Sequence, residues 1–142
     1  DSMALNGIHS GAIIIAGSGM CDAGRIKHHL KHRLGHKQNS ILFAGYQGEG
    51  TLGRRIVDRA PIVNIYGDDI RVAADIYTLG GLSAHGDQRA LLDWLGHVSP
   101  ARKQTFIVHG EQSTMQIFSE KITGELGWKP TLPKIGSSYE IA

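Results

Sequence analysis

Short continuous apolar runs alternate along this chain with longer stretches in which apolar residues recur every three or four positions. The runs are AIIIA (12–16), ILFA (41–44), IVNIY (62–66), VAADIYTL (72–79) and TFIV (105–108). Each is short and β-prone and reads as a strand, and the unbroken run 12–16 has the pattern of one covered on both faces. The first run ends in Gly17-Ser18-Gly19, and Asp22 is placed to cap a helix whose apolar stripe is Ile26, Leu30 and Leu34. Gly35 is its expected stop. The second run leads through a glycine loop (45–53) into a helix containing Arg54-Arg55-Ile56-Val57, which Pro61 ends. Gly67-Asp68-Asp69 signals a turn. Ala90, Leu91, Trp94, Leu95 and Val98 predict the buried face of a further helix. Ser113-Thr114-Met115-Gln116 fits a capping box, and Met115, Phe118, Ile122 and Leu126 mark the helix that follows, stopping at Gly127. Alternating strands and helices predict an α/β architecture with mostly parallel strands.

Composition narrows the class. The chain has 142 residues, of which 41% are hydrophobic and 20% charged, so it can bury a real core. No run approaches the ~18 apolar residues of a membrane span, and the N-terminus does not read as a signal peptide. The single cysteine, Cys21, excludes an internal disulfide, and a reducing cytoplasmic setting is expected. Cys21 follows a glycine turn, but no motif marks it as a nucleophile, and a structural role is expected. Net charge is only +2, yet eight Lys/Arg face three acids between Cys21 and Ala60. That segment therefore carries +5 and the remainder −3. Such an imbalance suits either a polyanion-facing surface or a solvated helix face.

Candidate chemistry gathers at the loops. Residues 76–79 and 105–108 each end just before a histidine-bearing loop, Ser83-Ala84-His85 and His109-Gly110-Glu111. Carboxyl ends of neighbouring parallel strands share one crevice, so His85 and His109 are placed to meet although 24 positions apart. Spacing alone favours two unrelated loop histidines; Asp87 and Glu111 beside them weigh against that reading, because histidine beside carboxylate is the usual chemistry of a metal or general-acid site. Gly48-Glu49-Gly50-Thr51-Leu52-Gly53 has the letter pattern of a dinucleotide fingerprint. Glu49, however, would stand where pyrophosphate must approach a helix N-terminus, so a tight turn presenting Arg54 and Arg55 to phosphates is preferred. Ser18, Gly19 and Arg25 make a second phosphate-cradle candidate, against the alternative of an ordinary βα loop. His28, His32 and His36 share one helix face, but surrounding lysines and arginines oppose a cation there; stacking or phosphate contact with RNA is preferred to a metal, and plain solvent exposure to either.

SAHGDQ (83–88) and VHGE (108–111) resemble motifs B and C of the β-CASP branch of the metallo-β-lactamase superfamily. AIIIAGSGMCDAGRIKHHL and ILFAGYQGEGTLGRRI resemble the two blocks that end the β-CASP domain. The resemblance implies the end of a Rossmann-like β-CASP domain at residues 1–70, then the returning C-terminal segment of an αββα metallo-β-lactamase fold at 71–142. It further implies a zinc-dependent ribonuclease with two zinc ions. His109 would be a ligand, His85 would act on the scissile phosphate or leaving oxygen, and Asp87 and Glu111 would orient the rings. RNA would run past Ser18, Gly19, Arg25, Arg54 and Arg55. The H-x-H-x-D-H motif that supplies most zinc ligands in this family does not occur in the 142 residues. The implied partners are accordingly RNA and the remainder of the metallo-β-lactamase domain, with no membrane and with a homo-oligomer allowed. The chain by itself is expected to be inactive. The alternative is a non-catalytic RNA-binding or scaffold module.

Overall fold

The computed structural model describes all residues except 1, 83, 84, 99–103 and 142. The chain divides into two compact units, Asp1–Ser83 and Ala84–Ala142.

The first unit contains α1 (Gly24–Arg33), β1 (Ser40–Phe43), α2 (Leu52–Val57), β2 (Ile62–Ile65), β3 (Asp68–Arg71) and β4 (Asp75–Thr78). β1 and β4 pair in parallel, with Ile41 opposite Ile76 and Leu42 opposite Tyr77. β2 and β3 form an antiparallel hairpin. One of the two pairings is therefore not parallel, and the turn lies at Tyr66–Gly67, one step before the expected turn. Both of these residues have positive φ (56° and 86°), as a two-residue hairpin of primed type requires. Alternation then buries Val63 and Ile65 while Ile62 and Asn64 face outward. These two join Leu30, Leu34 and Ile56 as fully buried side chains of one core, each worth about 1.5–3 kcal/mol of apolar burial. The stripe expected on α1 is thus seated in the core, and His29 is buried beside it. Burial, with the charge of Arg33 second, holds the His29 imidazole below the usual histidine range.

Two expectations fail in this unit. Residues 12–16 form neither helix nor strand and join no sheet among the described residues, and Ile13 and Ile15 are 92% and 95% exposed. An apolar β-prone run needs a partner strand to become one, and none of the described strands flanks it. Asp22 does not cap α1, whose N-cap is Ala23. Its Oδ1 instead accepts the Leu52 N–H at 2.9 Å, at the start of α2.

The second unit is built on α3 (Gln88–Gly96) and α4 (Gln112–Leu126). Leu92, Ile122 and Trp128 form its buried core, with Leu95, Ile107, Phe118 and Leu126 packed around them. The α4 face expected from periodicity is the one buried, and Gly127 closes the helix at φ 67°. α3 differs from expectation: Leu92 is buried, whereas Leu91 and Trp94 are 42% and 66% exposed. The face that meets Ile122 is set by the i, i+3 pair Leu92 and Leu95, not by the wider stripe. Residues 105–108 do not form a full strand; Phe106 makes a single parallel bridge to Thr131. β4 pairs with β1, so the adjacent pair of strands expected to carry the two histidines is not seen among the described residues. Among the described residues no helix is long and apolar enough to cross a membrane.

Candidate functional site

In the first unit the two glycine loops, 17–23 and 45–51, hold each other. The Gln47 side chain is buried, and its Nε2 donates to the carbonyl oxygens of Gly19 (2.9 Å), Tyr46 (3.1 Å) and Gly45 (3.2 Å). The Gly53 N–H donates to the Met20 carbonyl at 3.0 Å. A Cβ built on Gly53 would overlap Gln47 Oε1 and lie 3.1 Å from that same carbonyl oxygen. The last glycine of the G-x-G-x-x-G stretch is therefore accounted for by loop-on-helix packing. Gly24 is similarly fixed: φ is 73°, and a Cβ would lie 2.9 Å from the Gly17 oxygen.

The interlock leaves the candidate phosphate residues outward. Ser18, Gly19, Arg25 and Arg55 are exposed. Arg54 is half-buried and directs its Nε–H to both carboxylate oxygens of Asp58 (3.0 and 2.9 Å). The α2 N-terminus that a phosphate would approach already has two acceptors, Thr51 Oγ1 on the Arg54 N–H and Asp22 Oδ1 on the Leu52 N–H. Cys21 lies between the loops at 3% exposure, its thiol pushed up to about 11 by burial first and by Asp22 second. It is a core residue.

In the second unit the two motif histidines occupy matching positions. His85-Gly86-Asp87 leads into α3 and His109-Gly110-Glu111 into α4, with Asp87 and Glu111 as the N-cap residues. The Asp87 carboxylate accepts the Ala90 N–H at 2.8 Å. Glu111 makes no side-chain cap bond; α4 starts two residues before the position expected from Ser113, and the expected capping box does not form. Both histidines are exposed, and His109 adopts a left-handed backbone (φ 65°). That conformation is uncommon outside glycine, though histidine adopts it more readily than most, and it turns the chain directly into α4. An apolar depression of about 320 Å³, lined by Ile107, Val108, Gly110 and Met115 among others, adjoins this turn. Ser83 and Ala84 of the SAHGDQ motif lie outside the described residues.

Among the described residues no group of three or more His, Cys, Asp or Glu side chains is gathered to hold a metal ion. A zinc hydrolase site needs at least three protein ligands, so the donors present here do not make one by themselves. The first unit also holds a cluster that no sequence motif marks. Tyr66 at the β2–β3 turn stacks against His28 of α1, with ring centroids 4.8 Å apart, and Lys27 Nζ lies 4.6 Å from the Tyr66 centroid. The only sequence signal was an aromatic residue where a hairpin turn favours Asn, Asp or Gly.

Comparison with known proteins agrees with the motifs. Residues 1–56 match the Beta-Casp domain, and residues 69–133 match the Zn-dependent metallo-hydrolase RNA specificity domain. Ribonuclease TTHA0252 of Thermus thermophilus is 38% identical over 140 residues, covering 99% of this chain and 31% of that protein. The transcription termination factors FttA of Methanocaldococcus jannaschii and Thermococcus kodakarensis are 34% and 35% identical, over 78% and 86% of this chain and 18% and 20% of theirs. The chain thus spans less than a third of the length of the curated relatives it matches. With an α/β fold, four linked motifs and both domain matches in the family's order, the chain belongs to the β-CASP family of metallo-hydrolases.

Proposed function

We propose that this chain is the RNA-engaging and site-completing part of a zinc-dependent ribonuclease that hydrolyses RNA phosphodiesters. The observation that carries this reading is the 38% identity to a ribonuclease over 140 residues. In this proposal the first unit contacts the RNA backbone through Ser18, Gly19, Arg25, Arg54 and Arg55. His109 is one zinc ligand, and the remaining ligands come from metallo-β-lactamase residues outside these 142. Two zinc ions per site would supply an activated water and charge stabilisation. His85 contacts the scissile phosphate or returns a proton to the leaving oxygen, and the Asp87 and Glu111 carboxylates orient the two rings. The boundary between the β-CASP end and the returning segment is proposed near residue 70, at the start of the second matched domain (69–133).

The test is RNA cleavage by a full-length protein that includes the upstream motif, beside the 142-residue chain. Cleavage is expected only from the former. Robust cleavage by the contaminant-free 142-residue chain, or none from a zinc-loaded full-length protein, would overturn the proposal.

A second reading is supported by the identities of 34% and 35% to transcription termination factors. In that reading the same RNA-directed chemistry serves the release of transcripts, and cleavage of RNA emerging from a stalled polymerase distinguishes it from general turnover.

A further inference from the structure

We infer that Lys27, His28 and Tyr66, residues outside the two glycine loops, form a further contact for the phosphate backbone of single-stranded RNA. Tyr66 is the positioning residue of this contact. The inference rests on the proposed RNA-directed function but concerns residues that function does not use.

Tyr66 occupies the first position of a two-residue hairpin turn at φ 56°, where a side chain is disfavoured and small polar residues or glycine are the rule. Packing does not explain it, since Tyr66 is 48% exposed and lies outside the core. The tyrosine ring instead organises two nitrogen-bearing side chains on α1. Its hydroxyl lies 3.2 Å from His28 Nε2, and the two rings stack at an interplanar angle of 30°. Lys27 Nζ sits over the ring at 4.6 Å, within cation–π range.

The neighbouring Lys31 pairs with Asp68, which lies two residues beyond Tyr66 on β3. Lys27 makes no ion pair among the described residues, so its charge is oriented by a ring without being neutralised. A Tyr66–His28 hydrogen bond through Nε2 leaves Nδ1 as the remaining site for an outside partner. A lysine and an imidazole held beside each other on an exposed face suit a phosphodiester, and the +5 charge of residues 21–60 supplies the surrounding field. An aromatic anchor among cations favours nucleic acid over a generic acidic partner.

The test uses the full-length protein in EDTA, which prevents cleavage, with a single-stranded oligouridylate as probe and affinity measured across a salt series. Lys27→Ala should weaken binding several-fold and lower the salt slope by about 0.7, the value for one phosphate contact on a single strand. Tyr66→Ala, which removes no charge, should weaken binding with little change of slope, and Tyr66→Phe should lie between it and the parent. If Tyr66→Ala fails to fold, Tyr66→Phe and Lys27→Ala still decide. An unchanged slope in Lys27→Ala, with Arg25→Ala and Arg55→Ala both weakening binding, would overturn this inference and leave the RNA-directed function standing. No salt-dependent binding by the parent protein would remove that function first. Displacement of the oligouridylate by polyglutamate of equal charge would assign the face to an acidic protein and overturn the RNA contact.

Discussion

Gln47 and residue 53 compete for one small volume: the Gln47 amide oxygen fills the space that a Cβ on Gly53 would need. The amide is held there because its nitrogen serves three carbonyls at once, one of them in the other loop. Gly53→Ala must therefore displace Gln47 or push back the Met20 carbonyl. It should lower stability by about 1–3 kcal/mol, the usual cost of overpacking. Adding Gln47→Ala should cost less than the sum of the two single changes, because the clash is then gone. Denaturant midpoints of the four proteins in this cycle measure the coupling, and strict additivity would show that the loops do not interlock.

Asp22 gives a second prediction, since its carboxylate serves the helix that begins 30 residues later. Asp22→Ala should destabilise α2 by about 1 kcal/mol, while Asp22→Asn, which keeps an acceptor oxygen, should cost less. Hydrogen exchange should locate the loss: faster exchange at the Leu52 amide and the first turn of α2, with α1 unaffected. Loss confined to α1 would contradict the observed bond.

The buried thiol leads to a prediction about pH. With Cys21 pushed up to about 11, its thiolate fraction at pH 8 is roughly a hundredth of that of an ordinary exposed cysteine. Native-state labelling by a disulfide reagent should be slower than that of the unfolded chain by at least about tenfold. The sign for stability follows from the raised value. The folded state keeps its proton after the unfolded state has lost it, so this contribution is complete below about pH 9 and is lost as pH rises towards about 11. Cys21→Ser should remove that part of the alkaline decline, and an identical alkaline profile in the variant would refute the assignment.

The two motif histidines separate by what each removal should do in the full-length protein. His109→Ala should lower zinc content together with turnover. His85→Ala should leave zinc largely in place while turnover falls, by roughly 10²–10⁴-fold if the ring is the general acid. The distinction is physical: a missing ligand weakens the metal site itself, whereas a missing acid raises only the transition state. Zinc per protomer measured beside single-turnover rates decides it, and equal metal loss in both variants would show that His85 has been given the wrong role.

Much of this was legible in the sequence where one rule acted alone. The stripe Ile26, Leu30, Leu34 on α1 and the face of α4 follow from helical period, and both are buried. Pairing was less legible. Residues 12–16 and 105–108 have the composition of strands, but composition does not say which chain segment supplies the neighbouring backbone. The α3 face was misjudged because Trp94 and Leu91 are as apolar as Leu92, and only the position of Ile122 decides which of them is covered. At the site, the pairs His85 with Asp87 and His109 with Glu111 stood out as histidine beside carboxylate. Their shared placement as histidine, glycine, then acidic N-cap became visible only once both helices were located. The Tyr66 cluster escaped notice because it joins residues 38 positions apart, through a turn whose sequence gave no reason to expect a tyrosine.

Residues 12–16 have a practical consequence for handling this polypeptide. Ile13 and Ile15 lie bare on a backbone that no described strand covers, the arrangement that invites a strand from another molecule. Purified 142-residue chains should therefore turn turbid as concentration rises, more so with added kosmotropic salt. Ile13→Lys or Ile15→Lys should keep them clear without touching the core. Any self-association found with this segment alone would then be a matter of solubility, and an oligomeric state measured on it would report a sticky edge.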